Sequence, residues 1–137
     1  MDRDQETTFI HSLIQRGRRE RAQCELLSEK KRRQFINRLC HDYDKVLDDR
    51  CLLPISRPNS DCGTIRELLK RDGASDTCYA ISATDGLDGK TLPLSAALEK
   101  AVGFGQPTIL LRIPGKLAYF EAEQTAGPSP RYLLSKR

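Results

Sequence analysis

The chain has 137 residues, 38% of them apolar and 31% charged, which suits one globular domain able to bury its own core. A net charge of +4 is only mildly basic, and 6% aromatics with no Trp argue against a large stacking platform for single-stranded nucleic acid. The five cysteines are odd in number and form no C-x-x-C, and no apolar signal or membrane-length run occurs; a cytoplasmic protein with reduced thiols, no membrane association and no metal site is expected.

Residues 1–53 read as a helical arm. Thr7 or Thr8 can cap a first helix with Phe9, Ile10, Leu13 and Ile14 as its apolar stripe. The stripe ends at Arg16-Gly17-Arg18-Arg19. Residues 28–49 then predict one long amphipathic helix, with Phe35, Ile36, Leu39, Tyr43, Val46 and Leu47 inside a wedge of roughly 120°. Leu26 and Leu27 are placed to staple its start.

The first turn of that helix is unusual. Lys30, Lys31, Arg32 and Arg33 follow one another where the macrodipole already places positive charge, which costs a few tenths of a kcal/mol, up to about 1, per cation. Lys31 also stands where a capping box would hold Glu or Gln. Arg32 projects along the centre of the apolar wedge, so either the first turn overshoots the core or Arg32 crosses its rim toward a partner. Between positions 16 and 38 nine Lys/Arg face three Glu, a local net of +6 that leaves about −2 elsewhere. Such a concentrated patch points to an acidic or polyanionic partner.

Residues 54–63 read as a loop, and residues 64–137 as an α+β portion. Thr64 and Glu67 match a capping box for a short helix ending at Gly73. Residues 78–83 predict a strand, 94–102 a helix stopped at Gly103, and 108–113, 117–123 and 131–135 three more strands. The fold class is therefore α+β: an N-terminal helical hairpin, then a small, mainly antiparallel sheet of about four strands covered on one face by one or two helices. A tight turn at Pro114-Gly115 would pair Leu111 with Ala118 and Ile109 with Phe120. A type II turn there could widen the loop and slip that register.

The stretch from Thr84 to Thr91 nearly spells a phosphate-binding loop, but Thr84 stands where glycine is needed and Asp85 and Asp88 would repel phosphates. Two Asp-Gly turns explain it better. Gly103-Phe104-Gly105 follows a helix and precedes a strand, the reverse of a dinucleotide fingerprint, so a connecting turn is expected. Cys40-His41-Asp42 lacks the spacing of a zinc module, and adjacent helical residues do not face one another. No catalytic residue, metal ligand or cofactor is assigned, and the balance leans against an enzyme.

Two surfaces remain as candidates. Arg18, Arg19, Lys30, Lys31, Arg32, Arg33, Asn37 and His41 are assigned to a partner-binding face. Arg112, Tyr119 and Glu121 would share the less apolar face of the sheet as a possible ligand patch. The expected function is a non-enzymatic protein-binding module, an adaptor, inhibitor or immunity-type protein, whose basic segment docks an acidic surface or a second copy of itself. Nucleic-acid binding through the same segment, and a small nucleotide-binding sensor or enzyme using the sheet face, are the alternatives.

Overall fold

The computed structural model describes residues 2–55, 62–69, 76–84, 86–102, 106–113, 115–123 and 130–135. Helices α1 (Arg3–Leu13), α2 (Arg19–Leu26), α3 (Arg32–His41) and the single turn α4 (Tyr43–Val46) come first, with a 3-10 turn at Arg16–Arg18. Strand β1 (Leu52–Pro54), helix α5 (Cys62–Leu69), β2 (Thr77–Ser82), β3 (Thr91–Pro93), α6 (Leu94–Ala101), β4 (Thr108–Ile113), β5 (Leu117–Glu121) and β6 (Arg131–Ser135) follow. The six strands form one antiparallel sheet in the order β1-β6-β5-β4-β2-β3.

The fold is α+β, but the sheet is larger than expected and both of its faces are covered. On one face Phe9, Leu13, Leu26, Phe35 and Leu39 of the N-terminal helices pack against Ile81, Ile109, Leu111, Ala118 and Phe120. On the other, Ile65, Leu69, Leu94 and Leu98 of α5 and α6 pack against Ala80, Leu110, Leu117 and Tyr119. Two-sided burial is why the central strand TILLRI is a continuous apolar run rather than an alternating one. The expected arm and α+β portion share the first of these cores, and β1, from the arm, pairs with β6 at the far end.

The expected long helix is broken. Residues 28–31 form a turn in which the Ser28 carbonyl accepts from Lys31 and Arg32, so Lys30 and Lys31 precede α3 rather than open it. Asp42 leaves helical geometry (φ −134°, ψ 33°), separating α3 from α4. The apolar wedge nevertheless holds: Phe35, Ile36, Leu39, Val46 and Leu47 are all buried. Helix α1 starts earlier than expected, because Asp2 rather than Thr7 or Thr8 caps it. The Asp2 carboxylate accepts from the Gln5 amide at 3.1 Å and from Gln5 Nε2 at 2.8 Å. Helix α5 likewise opens at Cys62, ahead of Thr64, within the stretch expected to be loop. The expected stops at Gly73 and Gly103, and the turn at Gly103-Phe104-Gly105, lie outside the described residues.

The β4–β5 hairpin shows how a wide turn and a fixed register coexist. Lys116 N–H donates to the Ile113 carbonyl and Gly115 adopts φ +81°, so three residues separate the paired Ile113 and Leu117. A bulge between Leu111 and Ile113 absorbs the extra residue, Arg112, and restores Leu111 opposite Ala118 and Ile109 opposite Phe120. Both outer strands, β1 and β3, are three residues long and end on a proline, which blunts the sheet edges against pairing with another chain.

Candidate functional site

The basic segment divides into cations used inside the molecule and cations left outside it. Arg32 is 4% exposed. Its Nε and Nη2 donate to Asp88 at 2.8 Å each, Nη1 donates to Glu6 at 2.9 Å and to the Leu26 carbonyl at 3.2 Å, and Nη2 also lies 2.8 Å from Glu6 Oε2. All five N–H groups of the guanidinium therefore face an acceptor. Burial opposes the charge, but the bonds to Asp88 and Glu6 outweigh it and hold Arg32 protonated. This overturns the expectation that Arg32 faces a partner: no donor is left for one.

Around this clamp the polar groups are shared among four segments. Tyr79 in β2 donates its hydroxyl to Glu6 of α1 at 2.5 Å and accepts from the Asp2 amide at 3.0 Å. Burial, then the carboxylate beside it, pushes the Tyr79 hydroxyl well above the ordinary tyrosine range. Asp88 accepts from the Ser82 amide at 3.0 Å in addition to Arg32. The near-phosphate loop folds back on β2: Gly89 adopts φ +75° and donates to the Ala80 carbonyl, and the Asp88 carboxylate takes the Ser82 amide and the Arg32 guanidinium.

The remaining cations sort as follows. Arg38 makes a bidentate pair with Glu25 at 2.9 and 3.0 Å. Arg19 is half-buried and donates to the Ile14 carbonyl, tying α2 to the end of α1. Arg16, Arg18, Arg21, Lys30, Lys31 and Arg33 are exposed and form no ion pair among the described residues. Of these six, Arg16 and Arg21 were not among the assigned partner-binding residues. Asn37 is exposed on α3, and so is His41, whose Nδ1 stands 4.0 Å from Glu123.

Six of these groups line adjoining hollows along α2 and α3. Arg18 and Arg21 rim a shallow depression with Arg38. Arg38, Asn37 and His41 line a second, and Asn37 and Arg33 line a cleft of about 240 Å³ that descends to Asp88. Glu20 and Glu29 are exposed within the same stretch.

The proposed sheet patch does not assemble. Tyr119 and Glu121 are fully buried and Arg112 is 7% exposed, because α5 and α6 cover the face they share. Tyr119 donates to Glu121 at 3.0 Å, and Arg131 Nε lies 3.3 Å from Glu121, at one end of the sheet. Arg112 sits at the opposite end in the hairpin bulge, donating to the Thr77 carbonyl at 3.3 Å. Across these strands Ser82, Thr108, Glu121 and Arg131 are successive cross-strand partners, a polar row buried at its first three members that no single strand reveals.

Among the described residues no group of three His, Cys, Asp or Glu could hold a metal ion, and no helix is long and apolar enough to cross a membrane. No family model matches the chain, and no curated protein or solved structure matches it.

Proposed function

We propose that the protein is a non-enzymatic binding module that docks an acidic protein surface through the outer face of α2 and α3. The observation that carries this reading is the division of the cations. Within one stretch Arg32 and Arg38 are neutralised by carboxylates of the same molecule, whereas six neighbours are left exposed with no ion pair among the described residues. Exposed charge of one sign speeds and orients association with a complementary surface. The spacing favours a protein over nucleic acid. Glu20 and Glu29 interrupt the face, and a continuous phosphate track would lie against them, while scattered carboxylates on a protein need not.

The test must spare Arg32, which belongs to the interior. Wild type and a Lys30→Glu, Lys31→Glu, Arg33→Glu variant are immobilised and exposed to native-host extract, with and without nuclease treatment. Capture of an acidic protein that survives nuclease and is lost in the variant is expected. Equal capture by the variant overturns the docking reading. Capture that disappears with nuclease transfers the face to nucleic acid.

A further inference from the structure

Three guanidiniums meet at one small hollow between α2 and α3. Arg18 and Arg21 reach its rim from the start of α2, and Arg38 reaches it from α3. Arg18 and Arg21 are exposed, and neither guanidinium has a partner among the described residues. Arg38 is held in place: its Nε and Nη2 donate to the two oxygens of Glu25, which leaves Nη1 as a spare donor. Glu25 also lines the hollow, but its side chain is 6% exposed and both its oxygens already accept from Arg38. The lining therefore holds three cations against one carboxylate, a net of +2. Glu20 and Glu29, exposed acids of the same stretch, are not part of it. The floor is Ala22, Phe35 and Val46, all buried. Apolar walls under an excess of one charge strengthen its pull on an anion. At about 20 Å³ the hollow takes the oxygens of one small anion, not an aromatic ring.

We infer that this hollow receives a phosphate monoester of the partner, a phosphorylated serine or threonine set in its acidic surface. The inference rests on the docking reading above and names the group that reading leaves open. A phosphoserine carries a charge of about −1.5 to −2 at neutral pH, which matches the net charge of the lining. A carboxylate or a phosphodiester carries a single negative charge and leaves one cation uncompensated. The monoester also offers three terminal oxygens to three guanidiniums, whose planar forks fit phosphate geometry. Because Glu25 already fixes Arg38, that side chain loses little further freedom when an anion binds. The small volume suits the short stem of serine or threonine rather than the ring of tyrosine.

Peptide titrations on the full chain decide this. Asp/Glu-rich peptides carrying one phosphoserine at each position in turn are compared with twins holding aspartate there. At least one phosphopeptide should bind roughly tenfold tighter than its aspartate twin at neutral pH. Two variants at exposed residues separate the hollow from general attraction between opposite charges. Arg21→Gln should abolish the preference with the thermal midpoint unchanged. Lys31→Gln removes the same charge outside the hollow and should weaken both twins alike, leaving the preference intact. Equal binding of every phosphopeptide and its twin overturns the phosphate hollow and leaves the docking reading standing. So does a preference that survives Arg21→Gln or is lost equally in Lys31→Gln. A single-stranded oligonucleotide of equal charge that outcompetes every phosphopeptide overturns the hollow in favour of phosphodiesters. Failure of all peptides to bind overturns the docking reading and the hollow with it.

Discussion

Arg32 and Asp88 are joined by two hydrogen bonds of 2.8 Å across 56 residues of chain, closing the first turn of α3 onto the turns that follow β2. Because Glu6 of α1 holds the same guanidinium, this one side chain fixes two helices and a loop against each other. Its loss is expected to be severe. Arg32→Met leaves two nearly buried carboxylates without their cation and should cost about 3–5 kcal/mol. Asp88→Asn leaves a one-to-one pair with Glu6 and an amide oxygen still able to accept from Ser82, and should cost less, about 1–2 kcal/mol. Urea unfolding of the two variants checks the ordering. A milder effect for Arg32→Met than for Asp88→Asn would contradict the clamp.

The hairpin between β4 and β5 packs its turn directly on α1. A Cβ on Gly115 would stand 2.9 Å from both Thr8 Cγ2 and Ser12 Oγ, and the residue's φ of +81° disfavours any L side chain. Gly115→Ala should therefore destabilise by about 1–3 kcal/mol, part from backbone strain and part from displaced packing. Thermal unfolding should show the drop. Trimming α1 with Thr8→Ser in the same background should recover some of it, since it removes the methyl in the way.

The cysteines should separate sharply by reactivity. Cys24 is exposed, Cys40 is half-buried, and Cys51 and Cys78 are buried; none of the four is in a disulfide. Burial pushes the Cys78 thiol up to about 12, far from a reactive thiolate at neutral pH. A thiol reagent near pH 7 should label Cys24 quickly and Cys78 only after unfolding, which mass spectrometry of the modified peptides resolves. Rapid labelling of Cys78 in the native protein would show that the α5/α6 face opens.

What the sequence disclosed and what it hid follow from range. The wedge on α3 and the pairing of Ile109 with Phe120 are local periodicities, and both are found. The cap at Asp2 is also legible, as an acid followed three residues later by Gln5, but Thr7 and Thr8 stand nearer the apolar stripe and offer a competing cap. Arg32 is a different case. Its place on the apolar wedge was plain, yet its partners at positions 6 and 88 share no local pattern with it, so a buried clamp looked like an exposed misfit. Strands β1 and β3 are three residues each, too short for alternation to register, and without them the sheet looked small. The second helical layer hid the fate of Tyr119 and Glu121 in the same way: one strand cannot show what covers it.

Acid sensitivity gives a signed test of the joint between the N-terminal helices and the rest of the arm. Asp48 is buried and accepts from the backbone and side chain of Arg50 at 2.9–3.1 Å, and its own amide donates to the Leu13 carbonyl. The Arg50 side-chain bonds lead in holding the Asp48 carboxyl below its ordinary value, with burial opposing them. Asp2, held down chiefly by Gln5, shifts in the same direction. A carboxylate lowered on folding stabilises the native state above its unfolded pKa, near 4, and that contribution is lost as pH falls through the folded value. Urea midpoints measured from about pH 6 down to about pH 2 should therefore fall more steeply below pH 4 for wild type than for Asp48→Asn. The variant should be the less stable protein at neutral pH, and the two curves should converge in acid. Parallel curves over the whole range would mean that the Asp48 carboxylate gains nothing from Arg50 on folding.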